Sequence, residues 1–279
     1  MRNKAQLTIF TILSLLILLA AGSAFYLSSS QASETPENHN FQSYGPVLDS
    51  FVESCLQETT IRGIYSIGNV GGYYRLPYYS LQDDYFNIPF YFYEDLPSIP
   101  SKQEIETQLS LFVDDKIADC LDNFTSLKNQ GLRIEYTSPK TTMAIHNENI
   151  VASLNFPIRL SQNDESLTKS QFSTNVHARL YSMYLVAQNI TLLHNEDPTG
   201  VCLDCIWLLQ TKYNLTIDVI KYLNYTLIIN VQANDRPDVA FYNFTFALQY
   251  PRMTCDHLGP TTDVLFIQDC LNAQILELQ

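Results

Sequence analysis

Unbroken apolar run, helical stripe and strict alternation succeed one another along this chain, and each spacing predicts a different element. From Leu7 to Ala21 the only polar side chains are Thr8, Thr11 and Ser14, and apolar character resumes at Ala24, Phe25, Tyr26 and Leu27. A helix rises about 1.5 Å per residue, so roughly 20 such residues cross a ~30 Å hydrocarbon core. Residues 7–27 therefore predict a transmembrane helix or signal segment. The run is longer than the apolar part of an ordinary signal peptide, which favours a retained anchor, although Gly22-Ser23-Ala24 and Ser30-Gln31-Ala32 have the small residues of cleavage boundaries. Arg2 and Lys4 precede it and the acidic Glu34 and Glu37 follow it, so the Lys/Arg asymmetry keeps the N-terminus inside and places the rest outside the cell membrane as a single-pass protein. Residues 28–44 are Ser-, Gln-, Glu- and Asn-rich and read as a flexible linker. Residues 45–279 are then the extracytoplasmic domain.

In that domain the spacing turns helical. After Pro46, the residues Val47, Phe51, Val52, Cys55 and Thr59 share one helix face, with a stop by Gly68 reinforced at Gly71-Gly72. Ser101 and Glu104 form a capping box ahead of Ile105, Leu109, Phe112, Val113, Cys120 and Phe124. The outer face of this second helix carries Asp114, Asp115 and Asp119, which read as solvated.

After Gly131 the period becomes two. Ile150, Ala152, Leu154, Phe156, Ile158 and Leu160 alternate with mostly polar residues as a half-buried strand, paired with Met143 and Ile145 across a turn at residues 146–149. Pro157 lacks a ladder N–H and so predicts an edge or a bulge. A long helix from Lys169 to His194 follows, with Phe172, Val176, Leu180, Met183, Tyr184 and Ala187 inward, and then a short one from Cys202 to Leu209. Strands return at residues 215–220, 227–231 and 240–250, the last two separated by an Asp235-Arg236-Pro237-Asp238 turn. Helix plus meander thus occurs twice, and the fold class is α+β, with helices packed on antiparallel β-meanders.

Charge removes one class of partner. Sixteen Lys and Arg against 29 Asp and Glu give a net charge of -13, which repels nucleic-acid phosphates. The six cysteines all lie beyond the apolar run, where oxidation is expected. Cys55 and Cys120 sit in similar helical phrases and are expected to bridge two helices, and Cys255 and Cys270 to close the C-terminal tail. Cys202 and Cys205 remain open between a local disulfide, a redox pair and half a zinc site that Cys255, His257 and Cys270 would have to complete.

Between Tyr73 and Tyr93 ten aromatic rings are set among Pro77, Pro89 and Asp83-Asp84. Such a stretch reads as extended, with rings at alternating positions buried and the others available as a contact face; Tyr73, Tyr74, Tyr78, Tyr79, Tyr91 and Tyr93 are the candidates. Asn-x-Thr sequons at Asn123, Asn189, Asn214, Asn224 and Asn243 are candidate glycosylation sites. No nucleophile elbow, His-Glu-x-x-His, phosphate loop or dinucleotide fingerprint is present, so neither a catalytic residue nor a cofactor or metal ligand is assigned.

The opening MRNKAQLTIFTILSLLILL, the phrases PVLDSFVESCL and GNVGGYYRLP, and IETQLSLFVDDKIADCL resemble membrane-anchored cell-surface proteins of small-genome archaea. Lys4-Ala5-Gln6 is similar to an archaeal prepilin processing site. The resemblance covers about half of the chain and implies location without an activity. The expectation is a membrane-tethered protein that binds a protein or glycan partner at the cell surface or builds surface structure. The alternatives are a pilin-like filament subunit and an extracytoplasmic enzyme or thiol oxidoreductase using Cys202 and Cys205.

Overall fold

The computed structural model describes residues 41–196, 201–222 and 226–249. The expected anchor, most of the expected linker, Asn224, Cys255 and Cys270 lie outside them. Among the described residues no helix is long and apolar enough to cross a membrane. The chain divides into two compact units, 1–44 and 45–279. Of the first unit only residues 41–44 are described, a 3-10 turn at Phe41–Ser43 leading into a helix.

That helix, α1 (Tyr44–Gly68), buries Leu48, Val52, Cys55, Leu56, Thr59, Ile64 and Ile67 at three- and four-residue spacing. Val47, expected inward, is exposed, because the stripe starts one residue later at Leu48. Gly71 and Gly72 end the helix with positive φ, and Gly72 N–H donates to Ile67 O at 2.7 Å. Helix α2 (Lys102–Leu121) begins as the sequence indicates, with Ser101 accepting the Glu104 N–H. It crosses α1 closely: a Cβ on Gly63 would stand 2.6 Å from a Leu109 methyl. The Cys55–Cys120 disulfide joins the two helices as expected.

Two sheets carry the remaining core. The first has β6 (Asn149–Gln162) between β7 (Glu165–His177) on one side and β4 (Arg133–Tyr136) and β5 (Lys140–Ile145) on the other, all antiparallel. Pro157 sits where the β6–β7 register shifts between Asn155 and Ile158, so the missing N–H falls in a bulge. The second runs β1 (Ser80–Gln82), β2 (Asn87–Tyr93), β10 (Val239–Gln249), β9 (Thr226–Asp235) and β8 (Thr216–Tyr222), with β3 (Leu96–Pro97) also on β2. β8, β9 and β10 form the expected antiparallel meander, but β2 joins β10 in parallel, a pairing that local patterning does not reveal. Helices α3 (Leu180–Glu196) and α4 (Leu203–Tyr213) lie between the two runs of strands in sequence.

The long helix expected from Lys169 is corrected. Residues 165–177 are a strand, and the helix starts only at Leu180. Phe172 and Val176 are both buried, but their four-residue spacing satisfies a period of two as well as 3.6. Asn163, at φ 52°, makes the tight turn that folds β7 back along β6, and the full-length register on β6 decides the matter.

On the acidic face of α2, Asp115 and Asp119 are exposed as expected, and Asp114 is corrected. The Asp114 carboxylate accepts the Thr141 N–H at 2.6 Å and Glu106 accepts the Ile145 N–H at 2.8 Å, both from edge strand β5. On the opposite edge Glu53 of α1 accepts the Ser173 N–H of β7 at 3.4 Å, and Asp49 pairs with Lys169 at 2.7 Å. Carboxylates from two helices thus occupy outward N–H groups that would otherwise invite another strand.

Candidate functional site

The tyrosine-rich stretch does not alternate. β2 buries five consecutive residues, Ile88 to Phe92, because it is covered on both faces. Tyr91, expected on the contact face, is fully buried: it stacks on Phe246 at 4.7 Å and donates its hydroxyl to Gly71 O at 2.9 Å. Tyr73 is also buried, and desolvation, followed by the charge of Glu104, pushes its phenol up to about 12. Tyr74 is half-buried with its ring edge-on to Phe112, and its N–H and that of Arg75 both donate to the buried Gln108 side-chain oxygen. These three rings serve the core, and the contact-face expectation for Tyr73, Tyr74 and Tyr91 is withdrawn.

The others stand together at the surface. Tyr78 is 92% exposed and meets Tyr79 edge-on at 5.1 Å, and Tyr79 stacks on Tyr93 at 5.0 Å. Tyr93 rests in turn on Phe90 of a small apolar cluster formed by Ile88, Phe90, Ile228 and Ala247, which Leu81, Phe86 and Tyr222 also cover. Tyr85 adds a further exposed ring. The loop between β1 and β2 reaches the far edge of its sheet, where Tyr222 of β8 donates its hydroxyl to Asp83 and meets Phe86 edge-on at 5.0 Å. This bond lowers the Asp83 pKa and raises that of Tyr222. The partnership of Tyr222 and Asp83, 139 residues apart, has no sequence signal.

Acidic groups follow the ring column directly in the chain. Glu94 and Asp95 form the turn after β2, both exposed and both at positive φ, 48° and 63°. A two-residue hairpin turn of this kind ordinarily takes Asn or Gly. The nearby charge of Glu94 raises the Tyr93 pKa. Asp84 is exposed, and Asp83 holds the loop by accepting the N–H groups of Tyr85 and Phe86.

A second constellation surrounds Cys202 and Cys205, which are joined in a disulfide at the start of α4. They line a cleft of about 340 Å³ with Ile190, Leu193, His194, Glu196, Val201, Ile206 and Leu248. His194 is buried and packs edge-on to Phe92 at 4.8 Å. Leu203, Trp207 and Leu208 of α4 are exposed nearby in the chain. Among the described residues no group of three or more His, Cys, Asp or Glu is placed to hold a metal ion. Of the sequons, Asn123 and Asn214 are exposed at left-handed positions, Asn189 is exposed on α3, and Asn243 is half-buried in β10.

No family model, no curated protein and no solved structure matches this chain.

Proposed function

We propose that this chain is a membrane-tethered extracytoplasmic protein that binds a partner protein through the tyrosine-rich hairpin. The observation that carries the reading is the continuous ring column Tyr78–Tyr79–Tyr93, open to solvent at Tyr78 and followed directly by the exposed turn Glu94-Asp95. Exposed rings beside carboxylates suit Lys and Arg: cations stack on ring faces and the turn supplies opposite charge. A net charge of -13 steers a basic surface toward the chain and repels an acidic one. The tether rests on residues 7–27, and Asn123, Asn189 and Asn214 are the sequons whose exposure suits glycan attachment.

Calorimetric titration of the full-length chain in detergent with an Arg/Lys-rich peptide tests this reading. Tyr78→Ala and Tyr79→Ala should each weaken binding about tenfold without lowering the melting temperature, and raising salt should weaken it further. Binding of neutral oligosaccharides with none of the basic peptide would overturn it in favour of a glycan.

A further inference from the structure

We propose that Cys202 and Cys205 form a thiol–disulfide exchange site whose substrate is an apolar, extended polypeptide carrying a pair of thiols. This activity goes beyond the binding role of the tyrosine hairpin and uses none of its residues.

The two disulfides of the described chain differ in the way exchange requires. Cys55 is 3% exposed and Cys120 half-buried between two packed helices, so neither sulfur of that bridge is as open as Cys202. Cys202 is exposed, Cys205 is half-buried, and both open onto the cleft. Cys202 is also the N-cap of an eleven-residue helix, and the Cys205 N–H donates to its sulfur at 3.2 Å. When the disulfide opens, that amide and the helix N-terminus favour negative charge on Cys202, which makes it the better thiolate of the pair.

The surroundings specify the substrate. The cleft wall is mostly apolar, and Leu203 and Trp207 lie one helical turn apart on α4 at 70% and 63% exposure, with Leu208 beside Trp207 at 59%. Large apolar side chains left in water on the helix that carries the disulfide would bury themselves against apolar residues of an unfolded chain. A small polar thiol gains nothing there.

The exchange balances without a further reagent. A substrate thiolate attacks the Cys202 sulfur; the bond to Cys205 breaks, Cys205 leaves with the electron pair, and the substrate is held on Cys202 as a mixed disulfide. The second substrate thiolate then attacks the substrate's own sulfur in that bond, and Cys202 leaves as a thiolate beneath the Cys205 N–H. Two electrons pass to the protein, the substrate dithiol becomes a disulfide, and its two protons end on Cys202 and Cys205.

Two reduced peptides of equal length and cysteine spacing, one with apolar and one with polar residues, decide the matter on the full-length chain in detergent. Acid quenching, alkylation and peptide mass mapping follow each cysteine, and Trp207, the single tryptophan, gives a continuous fluorescence signal. The apolar peptide should reduce Cys202–Cys205 at least tenfold faster than the polar one while Cys55–Cys120 stays oxidised. The apolar peptide in its disulfide form should be trapped on Cys202 of the Cys205→Ser variant: the Cys202 thiolate attacks the peptide disulfide, the other peptide sulfur leaves as a thiolate, and no second protein thiol resolves the mixed disulfide. Leu203→Ser and Trp207→Ser, both surface changes, should abolish the preference, with the mass-mapping readout replacing fluorescence in the second. Equal rates for the two peptides, or a Cys202–Cys205 bond as resistant as Cys55–Cys120, would overturn the proposal.

Discussion

The Asp235 carboxylate grips Arg179 twice, accepting its main-chain N–H at 2.6 Å and its Nε–H at 2.7 Å. Asp235 ends β9 and its side chain is 1% exposed, and Tyr242 of β10 donates its hydroxyl to the same carboxylate at 2.5 Å. Arg179 reaches on to the carbonyls of Tyr213 and Asn214 at the end of α4. One carboxylate thus ties the corner before α3 to the meander. Asp235→Asn should cost about 3–5 kcal/mol, since it leaves a partly buried guanidinium without its counter-charge. Urea unfolding should show this, and a double-mutant cycle with Tyr242→Phe should give strongly non-additive losses.

Alkali should unfold the protein through its buried phenols. Burial raises Tyr91, and burial together with the Asp235 hydrogen bond and charge raises Tyr242, while Tyr73 stands at about 12. Each resists ionisation in the fold, whereas an unfolded tyrosine ionises near 10. Stability should be complete below pH 10 and fall as pH rises through the folded values. For Tyr73 the loss falls between pH 10 and about 12. Denaturant melts at rising pH should show a shallower decline for Tyr73→Phe than for wild type, and an unchanged slope would refute the assignment.

The helix staple should be worth more than any single surface contact. Cys55 and Cys120 close a loop with a sequence separation of 65, so replacing both with Ser should cost about 4 kcal/mol by the chain-entropy relation. Chemical denaturation without reductant measures it directly.

Carboxylates at the sheet edges should appear in hydrogen exchange. Asp114→Ala and Glu106→Ala each leave an edge N–H of β5 without its acceptor, at a cost of about 1–3 kcal/mol. The amides of Thr141 and Ile145 should lose protection while those in the centre of β6 keep theirs.

Tyrosines of one stretch should separate sharply in their effect on stability. Tyr91→Ala removes a fully buried ring and should cost about 3–5 kcal/mol, whereas Tyr78→Ala, at 92% exposure, should change stability by less than about 0.5 kcal/mol. Thermal melts of the two variants, side by side, check the division between core and surface.

What the sequence determined by itself is what depends on near neighbours. The Ser101 cap, the stop at Gly71-Gly72, the stripe of α2 and the alternation of β6 are set by groups within a few residues of one another, and all are present as read. The Cys55–Cys120 bridge was legible because both sulfurs sit in similar helical phrases, Glu-Ser-Cys-Leu and Ala-Asp-Cys-Leu. Tertiary structure alone decided wherever one local pattern fits two environments. Phe172 and Val176 suit helix or strand, and pairing with β6 made them strand. Tyr91 and Tyr79 are chemically alike, yet β10 beside β2 put one in the core and left the other in water. Asp114 read as surface charge and Asp235 as a turn residue, but the unpaired N–H groups of β5 and the guanidinium of Arg179 drew them in. Burial and hydrogen-bond demand come from residues distant in the chain, and no spacing within a segment encodes them.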